Sequence, residues 1–244
     1  MPTCQSNRRI VVADWDYTLC GGGFTAERWT EHLFSAGLFA DLAIVRSLLM
    51  EFRRGSLEYE QLCTRFAERY ARGLRGCHHK EIEAAAAVFV GLDRHNLYRF
   101  LQPLLRWFER ANLAVFVITG APSEPMRSYA RTVGFHLAAS LSLKLNPAGY
   151  YTGEILENSG LRDEKKRVVS GLRKDTEIVA ALGDSISDLP LLDAARVGFV
   201  VSGAGHTAVP LHPRLITLDP KDNPDIILST VEQSLTEAES WPGS

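Results

Sequence analysis

The sequence predicts an α/β protein with a parallel sheet and a separate helical region inserted near its N-terminal end. Short, β-branched apolar runs alternate with helical patterns over most of the chain, which is typical of parallel sheets covered by helices. Between residues 24 and 91 the pattern is helical, with no strand-like run. The length of 244 residues and the hydrophobic content of 45% suffice for a large core with a smaller companion.

The first strand is predicted at residues 10–13, a run too short and too β-branched for a helix. The helical region that follows is divided at three glycine-containing turns: Gly37, Gly55-Ser56 and residues 73–76. Ser56 predicts a helix start, because it precedes the apolar residues of one helical face, Leu57, Leu62 and Phe66. This region should therefore form a compact set of helices.

Six further strands are predicted at residues 113–118, 141–145, 150–156, 178–182, 197–201 and 215–218. The second and third of these alternate in polarity around a turn at 146–149, which predicts a β-hairpin. Helices are predicted at 97–112, 122–134 and 187–195. Strands and helices thus alternate through the C-terminal part of the chain.

Composition argues against several kinds of partner. Lys and Arg number 27 against 29 Asp and Glu, so no global basic field exists to attract nucleic acid or an anionic membrane. No apolar stretch approaches the roughly 20 residues of a membrane span. The four cysteines lack paired metal-ligand spacing and no signal-peptide pattern is seen, so we expect a cytoplasmic protein. The sequence leaves the oligomeric state open.

Four aspartates follow apolar runs at two distant places in the chain. Asp14 and Asp16 come after the first predicted strand, and Asp184 and Asp188 come after the run at 178–182. Because ligands of open α/β sheets bind beyond the carboxyl ends of the strands, we expect these carboxylates to meet. Crowded carboxylates repel one another unless a hard cation such as Mg²⁺ neutralises them. The sequence therefore predicts a metal site suited to phosphate chemistry.

The same residues resemble the four motifs of the haloacid dehalogenase superfamily, in the family's order. Motif one corresponds to Asp14-Trp-Asp16-Tyr-Thr18, motif two to Thr119, motif three to the pair Lys165-Lys166, and motif four to Gly183-Asp184-Ser-Ile-Ser-Asp188. The hairpin sequence Tyr151-Thr-Gly153 is similar to that of phosphoserine-phosphatase-like members. The resemblance covers essentially the whole chain and implies a Rossmann-like, three-layer core with a parallel sheet.

The resemblance assigns catalytic roles to the two aspartates of motif one. Asp14 corresponds to the nucleophile that forms an aspartyl-phosphate, and it also ligates the metal. Asp16 corresponds to the general acid and base, while its backbone carbonyl is a further metal ligand. Asp184 is expected to bind Mg²⁺ directly, and Asp188 to reach it through water or to orient the lysine.

The remaining motifs are expected to hold the transferring phosphate. Thr119 offers a hydroxyl and Gly120 an unobstructed backbone N–H. Lysine supplies a point charge. Lys165 fits the family's pattern better because Val168 and Val169 follow it, but Lys166 remains an alternative.

The resemblance also predicts the domain organisation: a catalytic core of residues 1–20 and 97–244 and a helical cap of residues 21–96 inserted between motifs one and two. Such a cap closes over the site and excludes water. Two features depart from phosphoserine phosphatases: the sequence 20–24 lacks their cap-entry glutamate, with Glu27 its nearest neighbour, and Phe66 stands where their carboxylate-binding arginine is expected.

The predicted function is Mg²⁺-dependent hydrolysis of a small phosphomonoester metabolite, such as a phosphoserine-like, amino-alcohol or polyol phosphate. A phosphotransferase or phosphomutase of the same superfamily is the alternative, and a non-catalytic binding module is a third hypothesis. Retention of Asp14, Asp16, Lys165 and Asp184 argues against the binding module. The leaving group cannot be identified from the sequence.

Overall fold

The computed structural model describes residues 8–203, 209 and 215–239. Its seven strands are β1 (Arg8–Ala13), β2 (Ala114–Pro122), β3 (His136–Leu145), β4 (Tyr151–Glu157), β5 (Thr176–Gly183), β6 (Val197–Val201) and β7 (Leu215–Leu218). They form one sheet in the order β4-β3-β2-β1-β5-β6-β7. Only the β3–β4 pair is antiparallel among the described pairs. The predicted α/β class with a parallel sheet is confirmed.

The central strand β1 is buried on both faces, which explains its unbroken apolar sequence. Ile10 and Val12 point to one face, where they pack in a cluster with Val169 and Leu191. Val11 belongs to the larger cluster on the opposite face, as the alternation of a strand requires. Since β2 and β5 flank β1, the chain leaves β1 at the point where the strand order reverses. Ligands of open α/β sheets bind at such a point.

The helices fall into two groups. The first four lie consecutively between β1 and β2: α1 (Thr25–Ser35), α2 (Leu42–Arg53), α3 (Tyr59–Leu74) and α4 (His79–Asp93). The others cover the sheet: α5 (Leu101–Arg110), α6 (Ser123–Tyr129), α7 (Arg162–Leu172), α8 (Leu189–Leu192) and α9 (Pro224–Glu239). None of the described helices is long and apolar enough to cross a membrane.

Several predicted boundaries are wrong for local reasons. Helix α3 begins at Tyr59 rather than at Ser56. Ser56 lies beyond the end of α2, and its hydroxyl donates to the carbonyl of Glu51 in that helix. Strand β2 continues to Pro122, because this residue pairs with Leu141 of β3. The predicted helix at 187–195 is a 3₁₀ turn followed by the four residues of α8. Helix α9 was not predicted from the sequence.

A buried glutamate joins the helical region to the sheet. Glu124 of α6 is 2% exposed. Its two carboxylate oxygens each accept a 2.8 Å hydrogen bond, one from the Tyr70 hydroxyl and one from the Tyr151 hydroxyl. Tyr70 in turn accepts a bond from the Trp29 indole at 2.8 Å. Because a buried carboxylate without donors is costly, this network favours one fixed packing of α1 and α3 on the core.

Candidate active site

Asp14 is positioned by the strand that neighbours β1. Its backbone N–H donates to the Leu182 carbonyl of β5 at 3.0 Å, and its side chain is nearly buried. The chain then makes a tight turn in which Tyr17 adopts the left-handed conformation (φ 61°). This conformation is uncommon for a bulky residue. The turn places Asp16 close to the carboxyl end of β1, where Asp14 also lies.

Lys165 is the cation of the site. It lies in the first turn of α7, is fully buried, and donates to Asp14 Oδ1 at 3.0 Å and to Asp188 Oδ1 at 2.6 Å. Burial alone would lower the pKa of this lysine, but the two carboxylates raise it. Lys166 is exposed. The structure therefore brings Lys165, and not its neighbour, to the aspartates.

Asp188 organises the loop after β5. Its Oδ2 accepts the backbone N–H groups of Asp184 and Ser185, both at 3.1 Å, and the Ser185 hydroxyl at 3.1 Å. Gly183 allows this close approach, because a Cβ there would lie 2.5 Å from the Asp188 Cβ. With both oxygens engaged by protein donors, Asp188 is suited to orient Lys165 and the loop.

Three carboxylates converge on a volume that suits a hard cation. One oxygen each from Asp14, Asp184 and Asp188 lie within 4.8 Å of one another. Burial raises the pKa of Asp14 to about 7, although Lys165 opposes the shift. Burial and the charges of Asp188 and Asp14 likewise raise the pKa of Asp184. The single ammonium of Lys165 therefore does not neutralise all three carboxylates. Their oxygen atoms are the kind of ligand that Mg²⁺ prefers.

Asp16 has a different environment from Asp14. Its Oδ1 accepts two hydrogen bonds from Thr25, from the backbone N–H at 2.9 Å and from the hydroxyl at 2.5 Å. Burial raises the pKa of Asp16, and the Thr25 hydroxyl opposes this shift. The main-chain oxygen of Asp16 accepts no hydrogen bond from any described residue. It is therefore available as an additional oxygen ligand.

Thr25 is itself held by a buried ion pair. Its hydroxyl oxygen accepts hydrogen bonds from Trp15 at 3.1 Å and from Arg28 at 3.2 Å. Arg28 forms a two-pronged pair with Asp93 at 2.8 and 3.0 Å. Asp93 also accepts the Tyr129 hydroxyl at 2.6 Å. This network connects the acid/base candidate to α1, α4 and α6, and sequence reasoning missed it.

Thr119 and Gly120 lie in β2 beside Asp14. Thr119 is buried, and its hydroxyl oxygen accepts the Ala121 N–H at 3.1 Å. A Cβ on Gly120 would lie 2.8 Å from the Gly160 Cα, so the segment before α7 can approach only a glycine. Both residues line the same cleft as Asp14 and Asp16. The structure thus brings every site residue predicted from the sequence to one end of the sheet.

Two adjoining clefts separate these residues from the helical region. We call the residues at the carboxyl end of the sheet, together with the lysine of α7 beside them, the catalytic floor: Asp14, Asp16, Thr119, Gly120, Lys165, Asp184 and Asp188. We call the cleft-lining residues at or near the first three helices the helical ceiling: Phe24, Ala26, Glu27, Leu49, Phe52, Tyr59, Leu62, Cys63 and Phe66. A wider depression at the opposite end of the sheet is lined by Arg8, Arg9 and Arg106. It lies away from the carboxylates.

The chain is similar to known proteins over most of its length. The chain matches the family described as haloacid dehalogenase-like hydrolase over residues 11–193. It is 26% identical to a phosphoserine phosphatase of Streptomyces coelicolor over 220 residues, which cover 83% of this chain and 47% of that protein. The chain thus spans about half the length of this curated relative.

Solved structures show the same fold. A protein of unknown function from Bordetella pertussis Tohama I superposes with a TM-score of 0.62 at 24% identity, covering 80% of this chain and 91% of that one. A probable phosphoserine phosphatase from Vibrio cholerae gives a TM-score of 0.62 at 17% identity, covering 94% of this chain and 66% of that one. The phosphoserine phosphatase from T. onnurineus gives a TM-score of 0.55 at 17% identity, covering 92% of this chain and 96% of that one.

Proposed function

The chain belongs to the haloacid dehalogenase-like hydrolase family, and we propose that it is a Mg²⁺-dependent phosphatase of small phosphomonoester metabolites. The observation that carries this proposal is the buried bridge from Lys165 to Asp14 and Asp188 beside Asp184. It combines a nucleophile, a phosphate-binding cation and metal-ligating oxygens at one point. Such groups suit phosphoryl transfer, because positioning and charge neutralisation provide most of its catalysis.

The first step forms a covalent intermediate on Asp14. Its carboxylate oxygen attacks phosphorus while the bond from phosphorus to the leaving oxygen breaks, and Asp16 transfers its proton to that oxygen. Lys165, the Thr119 hydroxyl and the Gly120 N–H hold the non-bridging phosphate oxygens. The hydrogen bonds from Thr25 fix Asp16 for this transfer.

The second step returns Asp14 to its starting state. Asp16, now ionised, takes a proton from water, whose oxygen attacks phosphorus as the bond to Asp14 breaks and inorganic phosphate leaves. Mg²⁺, held by Asp14, Asp184 and the main-chain oxygen of Asp16, would neutralise charge on the phosphate. Asp188 would orient Lys165 toward the phosphate without binding the metal directly.

We further infer that residues 21–96 act as a cap over a core of residues 1–20 and 97–244. Support comes from the clefts, whose floor consists of strand-end and loop residues and whose ceiling comes from the helical region. A substrate in the cleft would have its phosphate on the floor and its leaving group against the ceiling. Closure of the ceiling would exclude water that is not positioned for attack.

Phosphate release from p-nitrophenyl phosphate in the presence of Mg²⁺ tests the proposal. We expect hydrolysis that EDTA abolishes and that Asp14→Asn lowers by a factor on the order of 10⁴ or more, since this variant keeps the size of the side chain but removes the nucleophile. Substitution Asp163→Asn, at an exposed position in α7, should leave the rate unchanged. Near-normal activity in Asp14→Asn would exclude the mechanism.

Experiments with labelled substrate and a wider set of substrates separate the alternative functions. Acid-quenched wild-type enzyme turning over ³²P-labelled substrate should carry label, whereas Asp14→Asn should not. Label transferred to an added alcohol in preference to water would favour the phosphotransferase alternative. Failure to release phosphate from any of a broad set of phosphomonoesters would favour a binding module.

A further inference from the structure

Hydrogen bonds around the Thr25 hydroxyl restrict where Asp16 can carry a proton. A hydroxyl has one proton to donate and two lone pairs with which to accept. Both lone pairs have donors, because Trp15 Nε1 donates to Thr25 Oγ1 at 3.1 Å and Arg28 Nη2 donates to it at 3.2 Å. The hydroxyl proton is therefore directed to Asp16 Oδ1, which lies 2.5 Å away.

The two carboxylate oxygens of Asp16 consequently differ. Oδ1 also accepts the backbone N–H of Thr25 at 2.9 Å, so two donors surround it. A proton on Oδ1 would need an acceptor, and the Thr25 hydroxyl has no lone pair left to accept it. Oδ2 accepts no hydrogen bond from any residue that the structure describes. Because Asp16 lines both clefts, Oδ2 is the oxygen left to exchange a proton with a substrate.

Arg28 is held in a fixed orientation for its contact with Thr25. Its Nε and Nη2 bind the carboxylate of Asp93 at 2.8 and 3.0 Å, and its Nη1 donates to the Gly23 carbonyl at 2.5 Å. Asp93 also accepts the Tyr129 hydroxyl at 2.6 Å. A planar guanidinium with acceptors on two sides has little freedom to turn. The position of Nη2 beside the Thr25 hydroxyl is therefore fixed by both neighbours.

This network lies away from solvent. Trp15 and Thr25 are fully buried, and the side chain of Arg28 is 14% exposed. Water does not readily replace a donor lost from such a site, so removal of the Arg28 guanidinium would leave one lone pair of the Thr25 hydroxyl open. The proton of Asp16 could then move to Oδ1 and be donated to Thr25, where it does not reach a substrate.

Resting on the proposed function, we infer that Arg28 is a positioning residue for the acid/base aspartate, and that Asp16 exchanges its proton through Oδ2. Arg28 lines neither cleft and acts through the Thr25 hydroxyl. In the first step the proton passes from Oδ2 to the leaving oxygen as the bond from that oxygen to phosphorus breaks. In the second step Oδ2 takes a proton from the attacking water.

Rates on two leaving groups test this inference. The leaving group of benzyl phosphate is an alkoxide that needs a proton, whereas that of p-nitrophenyl phosphate is a weak base. We expect Arg28→Met to lower the ratio of kcat for benzyl phosphate to kcat for p-nitrophenyl phosphate about fivefold, a part of the general-acid contribution. The ratio of the two KM values should not change. The kcat ratio is independent of the folded fraction of a variant, because both substrates report on the same active molecules.

A double-mutant cycle shows whether Arg28 acts through Thr25. Thr25→Val removes the hydroxyl, so adding Arg28→Met to it should not lower the kcat ratio further. Asp93→Asn weakens the hold on the guanidinium without removing it. This variant should lower the ratio less than Arg28→Met does, and should have no effect on it in Thr25→Val. Independent losses that multiply in the double variants would overturn the inference.

Arg46→Met is the matched control. Arg46 of α2 pairs with Glu31 of α1 at 2.7 Å and, like Arg28, lines neither cleft. Its loss should leave the kcat ratio as in the wild type. An unchanged ratio in Arg28→Met, or a ratio lowered equally in Arg46→Met, would overturn the inference.

The proposed function can fail separately. Absence of Asp14-dependent hydrolysis of p-nitrophenyl phosphate would reject the phosphatase itself. Asp14-dependent hydrolysis with a leaving-group ratio that does not respond to Arg28→Met would reject only the positioning role.

Discussion

The catalytic floor and the helical ceiling face each other across one cleft but are built in opposite ways. The floor consists mainly of polar and charged residues from four distant segments, which the carboxyl ends of β1, β2 and β5 and the start of α7 bring together. The ceiling consists mainly of apolar residues from one continuous helical region. Under the proposed function, the sheet would supply the reaction chemistry and the helices would select the leaving group.

The two regions also differ in how their charges are balanced. Each Lys165 bond on the floor joins buried atoms, whereas Glu27 of the ceiling pairs with the half-exposed Arg53. Buried charges interact strongly and are costly to leave alone, while exposed pairs contribute little. Substitutions in the floor should therefore affect both stability and rate, and substitutions in the ceiling mainly the choice of substrate.

The largest of these effects is expected for Lys165→Met. Loss of the ammonium leaves the Asp14 and Asp188 carboxylates buried without their cation, which should destabilise the metal-free protein by about 3–5 kcal/mol. Loss of a preorganised charge at the phosphate should lower kcat by a factor on the order of 10³. Urea unfolding and phosphate release measure the two effects.

Lys166→Met is the matched control, because Lys166 is the exposed neighbour of Lys165 on the same helix. We expect its stability within about 0.5 kcal/mol of wild type, as for most surface substitutions, and its turnover unchanged. Similar losses in both variants would contradict the assignment of Lys165 as the buried cation of the floor.

A smaller effect should appear in the pH dependence of stability without metal. Burial raises the pKa of Asp14 from 3.8 to about 7, so the folded state binds more protons than the unfolded state between these values. Stability should fall as pH rises from about 5 to 7, with a slope of up to about 1.4 kcal/mol per pH unit from this group. Unfolding in EDTA at several pH values measures it.

Metal addition and variants sharpen this prediction. Mg²⁺ should flatten the slope, since it favours the ionised carboxylates. Asp14→Asn should reduce the slope, whereas Asp163→Asn should retain it. A metal-free protein whose stability rises from pH 5 to pH 7 would show that Lys165 compensates the floor carboxylates more fully than the burial of Asp14 implies.

The sequence predicts the fold well where the signal is local. Strands β1, β2, β5, β6 and β7 follow from short apolar runs, and the hairpin of β3 and β4 follows from alternating polarity around a turn. The central position of β1 agrees with its burial on both faces. Boundaries that depend on distant contacts were not predictable: β2 extends to Pro122 only because Leu141 pairs with it. The 16 residues of α9 were missed although Ile227, Val231 and Leu235, which pack inward, recur at helical spacing. The exposed Ile226 beside them weakens the contrast between the two faces of the helix.

The floor was more predictable from sequence than the ceiling. Its aspartates stand at strand ends, and the helical spacing of Lys165 and buried Val169 identifies the inward-facing lysine. Thr25 carries no such signal, since a threonine at a helix start most often only satisfies backbone groups. Its role depends on the turn after β1 and on the Arg28–Asp93 pair, which joins residues 65 positions apart. Sequence patterns do not report such contacts.

Thr25 is where the two regions meet, and its removal should give the smallest and most diagnostic effect. Thr25→Val preserves the shape of the side chain but removes the hydroxyl that donates to Asp16 and accepts from Trp15 and Arg28. Under the proposed mechanism, Asp16 protonates a poor leaving group, so we expect kcat for an alkyl phosphate to fall about tenfold, a part of the general-acid contribution. The fall for p-nitrophenyl phosphate, whose leaving group is a weak base, should be much smaller. Steady-state rates on both substrates measure the difference.

Thr25→Ser separates this positioning role from simple packing. Serine restores the hydroxyl but lacks the methyl group, so it should recover the alkyl phosphate rate if the hydrogen bond to Asp16 matters. A packing role would instead make serine worse than valine and would slow both substrates equally. Equal losses on the two leaving groups would mean that the ceiling selects the substrate without acting on the acid/base group, and that floor and ceiling are independent.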